Sequence, residues 1–293
     1  MYGASLINWL VGVSSFAVCV LPLVASDSFA DEGDSSLRVM SFNIRYGKAN
    51  DGDNSWPHRR KLVASTIKTF DPDLLGTQET LPFQAEYLSE QFPEYSRIGW
   101  SREENPDGEQ CAIFYRTDRF ELVESGQFWL SETPDEKYTK SWDSSLPRVA
   151  TWTILRDRND DGREFVFANT HFDHRGAKAR LESAHLIHER ATQLSGAPIV
   201  LTGDFNCPEG SEPWQALTVS NLLRDTRRVR YPNAEKSEGT FNGFRGRTDG
   251  GRIDWILATD HFGVLEADID RTNEKARYPS DHFPVTAVLK RSE

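Results

Sequence analysis

The chain has 293 residues, of which 38% are hydrophobic and 11% aromatic, enough to fill one large core or two small ones. Charged residues reach 27% and the net charge is −11. This composition argues against a disordered chain, a membrane-embedded body and a tight nonspecific grip on long nucleic acid.

The first thirty residues differ from the rest. From Leu6 to Val24 the run carries no charge, and Ser28-Phe29-Ala30 then offers small residues at the positions a signal peptidase reads. These features predict a secretory signal peptide, residues 1–30, cleaved near Ala30. No Lys or Arg precedes the run, and its length approaches that of a membrane span, so an uncleaved N-terminal anchor is the competing reading. Either way the body is expected outside the cytoplasm, secreted or periplasmic, with no membrane span after signal cleavage. Cys111 and Cys207 are the cysteines left beyond Cys19, and a domain this large does not need them paired. Two buried free thiols are the expectation.

Beyond a polar lead-in at 31–36, apolar runs rich in β-branched and aromatic residues recur, each closed by polar residues. They are 37–44, 73–79, 111–116, 165–172, 198–206, 252–258 and 284–290, and they read as strands with both faces covered. Helical spacing appears at 58–70, 82–92 and 177–195, the last with Leu181, Ala184, Ile187 and Leu194 on one side. Strands and helices mixed in this way make an α/β or α+β domain of packed layers. Asn159-Asp160-Asp161-Gly162 reads as a hairpin turn. The stretches 125–150 and 239–251 read as long loops, and loops of that length usually carry function. Trp129, Trp142, Phe241 and Phe244 within them are candidates for stacking on substrate.

The polar residues fall where the strands end. Asn43 closes the first run, Glu79 the second, His171 the run at 165–172, and Asp204 and Asn206 the run at 198–206. Asp254 lies inside the next, and Asp281-His282 just precede the last. Strand ends in an α/β sheet converge at one edge, and core packing has no use for carboxylates there. Carboxylate and amide oxygens without thiolates suit a hard ion, Mg²⁺ or Mn²⁺. Two histidines beside them suit proton transfer near neutral pH. Metal, water and base together make phosphoester hydrolysis.

SFNIRYG, GTQE, NTHFDHRG, GDFN, RIDWI and YPSDHFPV, in this order, resemble the endonuclease/exonuclease/phosphatase superfamily over nearly all of 37–290, with a nocturnin-like and secreted bacterial flavour around 109–123. The resemblance implies a four-layer αββα sandwich: two mixed sheets face to face, helices outside, one catalytic domain over 37–291. It implies Glu79 as principal metal ligand, with Asn43 and Asp281 completing the site. It gives His282, oriented by Asp254, and Asp204 the attacking water, Asn206 the phosphoryl group, and His171 the developing charge or the leaving oxygen. Whether the histidine or the aspartate is the base stays open.

Arg45 stands where several DNA-repair members carry an acid, which turns the expectation away from repair and toward a cation that meets phosphate. Arg45, His174 and Arg175 are the substrate candidates; Arg148 and Arg180 are as readily structural ion pairs. His185 and His188 lack the H-E-x-x-H pattern and read as a solvated helix face, and His58 and His261 as surface groups. The expected partner is a small or short phosphorylated substrate, with no stable duplex DNA complex, and the chain is expected to act as a monomer. The chain can still hold a local basic patch, for instance Arg224 with Arg227, Arg228 and Arg230, and a nuclease on DNA or RNA is the alternative. A binding module that kept the fold and lost the chemistry is the alternative from another class. Calcineurin-like metallophosphoesterases need a late H-x-H that this chain lacks.

Overall fold

The computed structural model describes residues 36–292 apart from 195 and 234–236, all within the unit Asp34–Glu293. The predicted signal peptide lies outside the described residues. No described helix is long and apolar enough to cross a membrane.

In chain order the elements are β1 (Ser36–Asn43), α1 (Trp56–Phe70), β2 (Leu74–Thr80), α2 (Pro82–Gln91), β3 (Tyr95–Ile98), β4 (Gln110–Arg116), β5 (Phe120–Trp129) and β6 (Val149–Asp157). Then follow β7 (Arg163–His171), α3 (Ala177–Gln193), β8 (Ile199–Asp204), α4 (Glu212–Thr218), β9 (Arg224–Asp225), α5 (Thr226–Arg230), β10 (Asp254–Ala258), β11 (Phe262–Ile269) and β12 (Val285–Arg291). They form two mixed six-stranded sheets, ordered β11-β12-β1-β2-β4-β3 and β5-β6-β7-β8-β10-β9. Each contains one parallel pair, β1 with β2 and β7 with β8, and is otherwise antiparallel.

Strand alternation builds the layers. Leu37, Val39 and Leu74 of one sheet meet Phe165, Phe167, Val200 and Ile256 of the other in the core between them. The opposite parity of β1, Met40 and Phe42, packs with Val63 and Ile67 of α1 and Leu88 of α2. Val166, Leu201 and Leu257 pack with Ala184 and Ile187 of α3. Helix, sheet, sheet, helix is the four-layer sandwich the resemblance implied.

All seven runs read as strands are strands. The edge strands β3, β5, β9 and β11 were not among them, and neither was β6 beside β5. An edge leaves one row of backbone groups to water and carries charge between its apolar residues, as FELVESGQ in β5 does, so no apolar run marks it. The loop expected at 125–150 is shorter by its first five residues, which complete β5, and its last two, which open β6. The hairpin at 159–162 joins β6 to β7 as expected.

Candidate active site

Inward-facing positions change character along each central strand. In β1 the parity of Leu37 and Val39 continues through Ser41 to Asn43; in β7, Phe165 and Phe167 lead to Asn169 and His171. In β8, Val200 leads to Thr202 and Asp204, and in the antiparallel β10 the inward face begins at Asp254. The inter-sheet layer is therefore apolar at one end, amide and hydroxyl in the middle, and ionisable at the other. The middle is fully buried and bonded across the sheets: Gln78 Nε2 donates to Asn169 Oδ1 at 2.7 Å, and Asn169 Nδ2 donates to the carbonyls of Thr77 and Ala112 at 2.9 Å.

Register assembles the ionisable end. His171 pairs with Asp204 across the parallel β7/β8 ladder, and Asp254 pairs with the same Asp204 across β8/β10. On the facing sheet, Asn43 pairs with Gln78. Glu79 reaches the site by breaking the alternation: the register of β2 shifts between Thr77 and Thr80, and Glu79 itself sits at φ 58°. Arg45 and Asn206, just past their strand ends, also adopt positive φ, 61° and 50°. Such backbone costs on the order of 1–3 kcal/mol per residue and persists where neighbours over-determine it, commonly at functional sites. For Glu79 the neighbours are the amide of Tyr46, which donates to Oε2 at 2.6 Å, and Asn43 Nδ2, which donates to Oε1 at 3.1 Å.

Asp204 is the centre of the group. Its Oδ2 accepts from Asn43 Nδ2 at 2.9 Å and lies 3.4 Å from His171 Nε2 and 3.8 Å from His282 Nε2, while Oδ1 accepts from the Asn206 amide at 3.0 Å. His282 Nδ1 is 2.9 Å from Asp254 Oδ2. Burial pushes the Asp204 carboxyl up, and the Asp254 charge adds to that. For His282, burial works against the imidazolium, but the Asp254 and Asp204 carboxylates outweigh it and the ring titrates well above its usual value. His171 goes the other way: burial, then the positive charges of Arg148 and Arg102, hold it well down and neutral. Asn206 Nδ2 meets its Nε2 at 2.9 Å and also donates to the Phe172 carbonyl at 3.0 Å.

Asp281 is buried beside Ser280, whose hydroxyl donates to the Asn43 carbonyl at 2.7 Å and thereby ties the last motif to the first. Burial pushes the Asp281 carboxyl up; His282 pulls it down, and the nearby Glu79 charge raises it. Oxygen donors with unneutralised like charge suit a hard divalent cation, and no thiolate competes: Cys111 and Cys207 are free and buried, as expected. Among the described residues, Asp204, Asp254 and His282 also offer ligand atoms within 4.8 Å of one another. Within that group Asp254 Oδ2 already bonds His282 Nδ1 at 2.9 Å.

These groups open into a cleft of about 520 Å³, lined by Glu79, His171, Asp204, Asn206, Asp281 and His282 among others. Asn43 and Asp254 lie behind them, fully buried. Of the substrate candidates, Arg45 and His174 line the cleft. The Arg45 guanidinium is forked onto Asp51 at 3.0 Å on both arms and lies 3.5 Å from Asp281 Oδ2, so its charge is largely met by acids. Arg175 is exposed and outside this lining; its backbone NH closes a turn on Asp173 at 2.9 Å. Of the four aromatic candidates only Phe241 lines the cleft, half exposed and edge-on to the His282 ring at 5.2 Å. Trp129 is instead buried, donating to the Arg102 carbonyl at 2.9 Å.

Sequence reasoning missed Arg102 and Glu109, which line the cleft and bond each other at 2.7 Å, because both sit in a polar loop with no apolar run to mark them. Two arginines of the expected basic patch are paired with acids, and Arg230 stays exposed with its Nε on the Leu265 carbonyl. Arg227 meets Glu238 at 2.9 Å, Arg228 meets Glu209 at 2.5 Å, and Arg224 caps the carbonyl of Phe262.

The endonuclease/exonuclease/phosphatase family model matches residues 40–282, spanning every motif of the cleft. The chain belongs to that family. Its members hydrolyse phosphoesters. An endonuclease/exonuclease/phosphatase family protein of Bacteroides thetaiotaomicron is 38% identical, with 88% of this chain and 98% of that chain covered and a TM-score of 0.79. A mannosyl-6-phosphatase of the same species is 37% identical over 86% of this chain and 99% of that chain, with a TM-score of 0.78. Nocturnin of Drosophila melanogaster is 26% identical over 306 residues, 86% of this chain and 46% of that protein, so the chain spans about half the length of this relative.

Proposed function

We propose that the protein is a secreted, divalent-metal-dependent hydrolase of small phosphate esters, with monoesters favoured over polymeric diesters. The observation that carries this is the convergence of Asn43, Glu79, His171, Asp204, Asn206, Asp254, Asp281 and His282, far apart in the chain, on one bounded cleft. The pairing of Arg227 and Arg228 with acids, the cleft volume and the mannosyl-6-phosphatase relative support the monoester reading.

Glu79 and Asp281, with Asn43 between Glu79 and Asp204, would hold the ion, Mg²⁺ or Mn²⁺, which supplies charge stabilisation at a phosphoryl oxygen. The chain's own groups do the rest. Asp254 fixes the proton on His282 Nδ1 and leaves Nε2 toward Asp204. His282 Nε2 and Asp204 Oδ2 together hold the attacking water; with His282 held as the imidazolium, its Nε2–H orients the water and Asp204 takes the proton. Asn206 holds the phosphoryl group, and His171 stands beside the leaving oxygen. The domain over 37–291 does this work outside the cytoplasm; the uncharged run before Ala30 supports a cleaved leader.

Purified domain with Mg²⁺ or Mn²⁺ is expected to cleave p-nitrophenyl phosphate and small phosphate esters. Glu79→Ala and His282→Ala should each lower kcat by roughly 10²–10⁴ while the fold is kept. Full activity in both variants would remove the assigned roles. N-terminal sequencing of protein secreted by a bacterial host should begin near residue 31, and an intact Met1 would leave the anchor reading.

A further inference from the structure

Beside Glu79 and His171, the cleft has a wall of charged side chains to which hydrolysis assigns no contact with substrate. The loop before β4 folds back so that the Arg102 amide donates to the Glu109 carbonyl at 3.0 Å and Arg102 Nη2 donates to Glu109 Oε1 at 2.7 Å. Arg148, at the foot of β6, points Nη2 at His174 Nδ1 at 3.0 Å and keeps Nε 3.5 Å from Asp173 Oδ2. Arg102, Glu109, Arg148 and His174 line the same cleft as the reacting groups.

The hydrogen bonding of this wall is incomplete. Arg148 is 3% exposed, yet its Nη1 bonds nothing among the described residues, and the buried Arg102 Nε also lacks a hydrogen bond. A buried donor without a partner costs about 1–3 kcal/mol, and native proteins leave few. Arg102 Nε at least faces Glu103 Oε1 at 3.6 Å, whereas Arg148 Nη1, on the wall of a ligand-sized cleft, has no such acid and indicates a ligand that completes it.

We propose that Glu109 and Arg148 read hydroxyl groups on the alcohol side of the substrate, selecting phosphate monoesters of small polyhydroxylated rings such as sugars; this rests on the monoesterase reading of the site. The charge balance excludes a second anion as the preferred ligand. Glu109 and Glu103 answer Arg102 and Asp173 answers Arg148, and a further negative group would meet these acids. What the wall offers is guanidinium N–H donors beside a carboxylate acceptor. A hydroxyl both donates and accepts, so neighbouring hydroxyls can bridge Glu109 and Arg148. Leu146, Ile253 and the half-exposed Phe241 ring give the apolar face of a sugar ring something to lie against. A cleft of about 520 Å³ is within the range of small-ligand sites and suits one ring with its phosphate.

The test compares kcat/KM of the metal-loaded protein for glucose 6-phosphate, mannose 6-phosphate, their singly deoxygenated analogues and p-nitrophenyl phosphate. In the wild type, removal of at least one ring hydroxyl should lower kcat/KM by about tenfold or more, because the wall's polar groups are then left unpaired. Glu109→Gln should shrink that discrimination to about threefold or less, since the contact is already lost on the protein side. Arg148→Lys, which keeps the charge and loses the fork, should lower hexose phosphate turnover at least about tenfold more than p-nitrophenyl phosphate turnover. Equal losses on every substrate would overturn the proposal, as would deoxy analogues turned over as well as their parents. If a variant does not fold, the wild-type deoxy series decides alone. Turnover of p-nitrophenyl phosphate but of no hexose phosphate would sink this proposal and leave the monoesterase standing. Cleavage of bis-p-nitrophenyl phosphate alone would sink both.

Discussion

Asp173 shows how one residue can hold the mouth of the cleft without touching the chemistry. Its buried carboxylate accepts from the amides of Ser145, Leu146, Arg175 and Gly176 and from the Ser145 hydroxyl, at 2.6–3.3 Å, and it lies 3.5 Å from Arg148. Burial opposes the charge, but the hydrogen bonds from Gly176, Ser145 and Arg175 outweigh it, and the carboxyl is held well below the usual range. A carboxyl whose folded value is depressed adds stability above its unfolded value, about 3.9. That stability is lost as pH falls from there through the folded value. Asp173→Asn is expected to cost about 2–3 kcal/mol at pH 7, because several donors lose a charged acceptor. It should also flatten the fall of stability between pH 4 and pH 2, read by urea unfolding at each pH. A variant with wild-type stability and an unchanged acid slope would show that the 145–148 loop is held by something else.

The elements of this fold carry the site because strand parity runs unbroken from the core to the sheet ends. The central strands were legible in the sequence as nearly continuous apolar runs, and so were the residues at their ends, since Asn43, Asp204 and Asp254 share the parity of the core positions in their strands. Two things were not legible. Edge strands such as β5 alternate with charge and look like loops, and Arg102 and Glu109 line the cleft from a polar stretch that no apolar run marks. A register shift such as the one that delivers Glu79 leaves no local mark either; only the motif GTQE pointed to it. Gly76 tests how close the two sheets come in the amide layer. A Cβ there would overlap Thr202 Oγ1 and lie 2.7 Å from Asn169 Oδ1, both fully buried. Gly76→Ala is therefore expected to destabilise by about 1–3 kcal/mol, since the sheets must separate or lose the Gln78–Asn169 bond. A denaturation midpoint equal to wild type would mean that the layer yields freely.

Across the whole molecule, positive and negative charge are distributed to opposite effect. Arginines on the β9–α5 side are matched by Glu209, Asp225 and Glu238, whereas Asp204, Asp254 and Asp281 are nearly fully buried together at one end of the inter-sheet layer, with Glu79 beside them. Carboxylates gathered in a poorly hydrated site destabilise the folded chain unless something offsets their charge. A cation that binds only the folded state offsets it by mass action, adding about 2.7 kcal/mol at a hundredfold excess over its dissociation constant. Each kcal/mol moves Tm by about 2–4 °C in a domain of this size. Mg²⁺ or Mn²⁺ is therefore expected to raise Tm by several degrees, reversibly with a chelator and with no change in secondary structure. Asp281→Asn removes one of the clustered charges, so it should begin more stable than wild type without metal and gain less from adding it. Potassium chloride at matched ionic strength separates screening from binding. An equal gain in both proteins would place the ion elsewhere on the surface, and no gain in either would take the metal out of the mechanism.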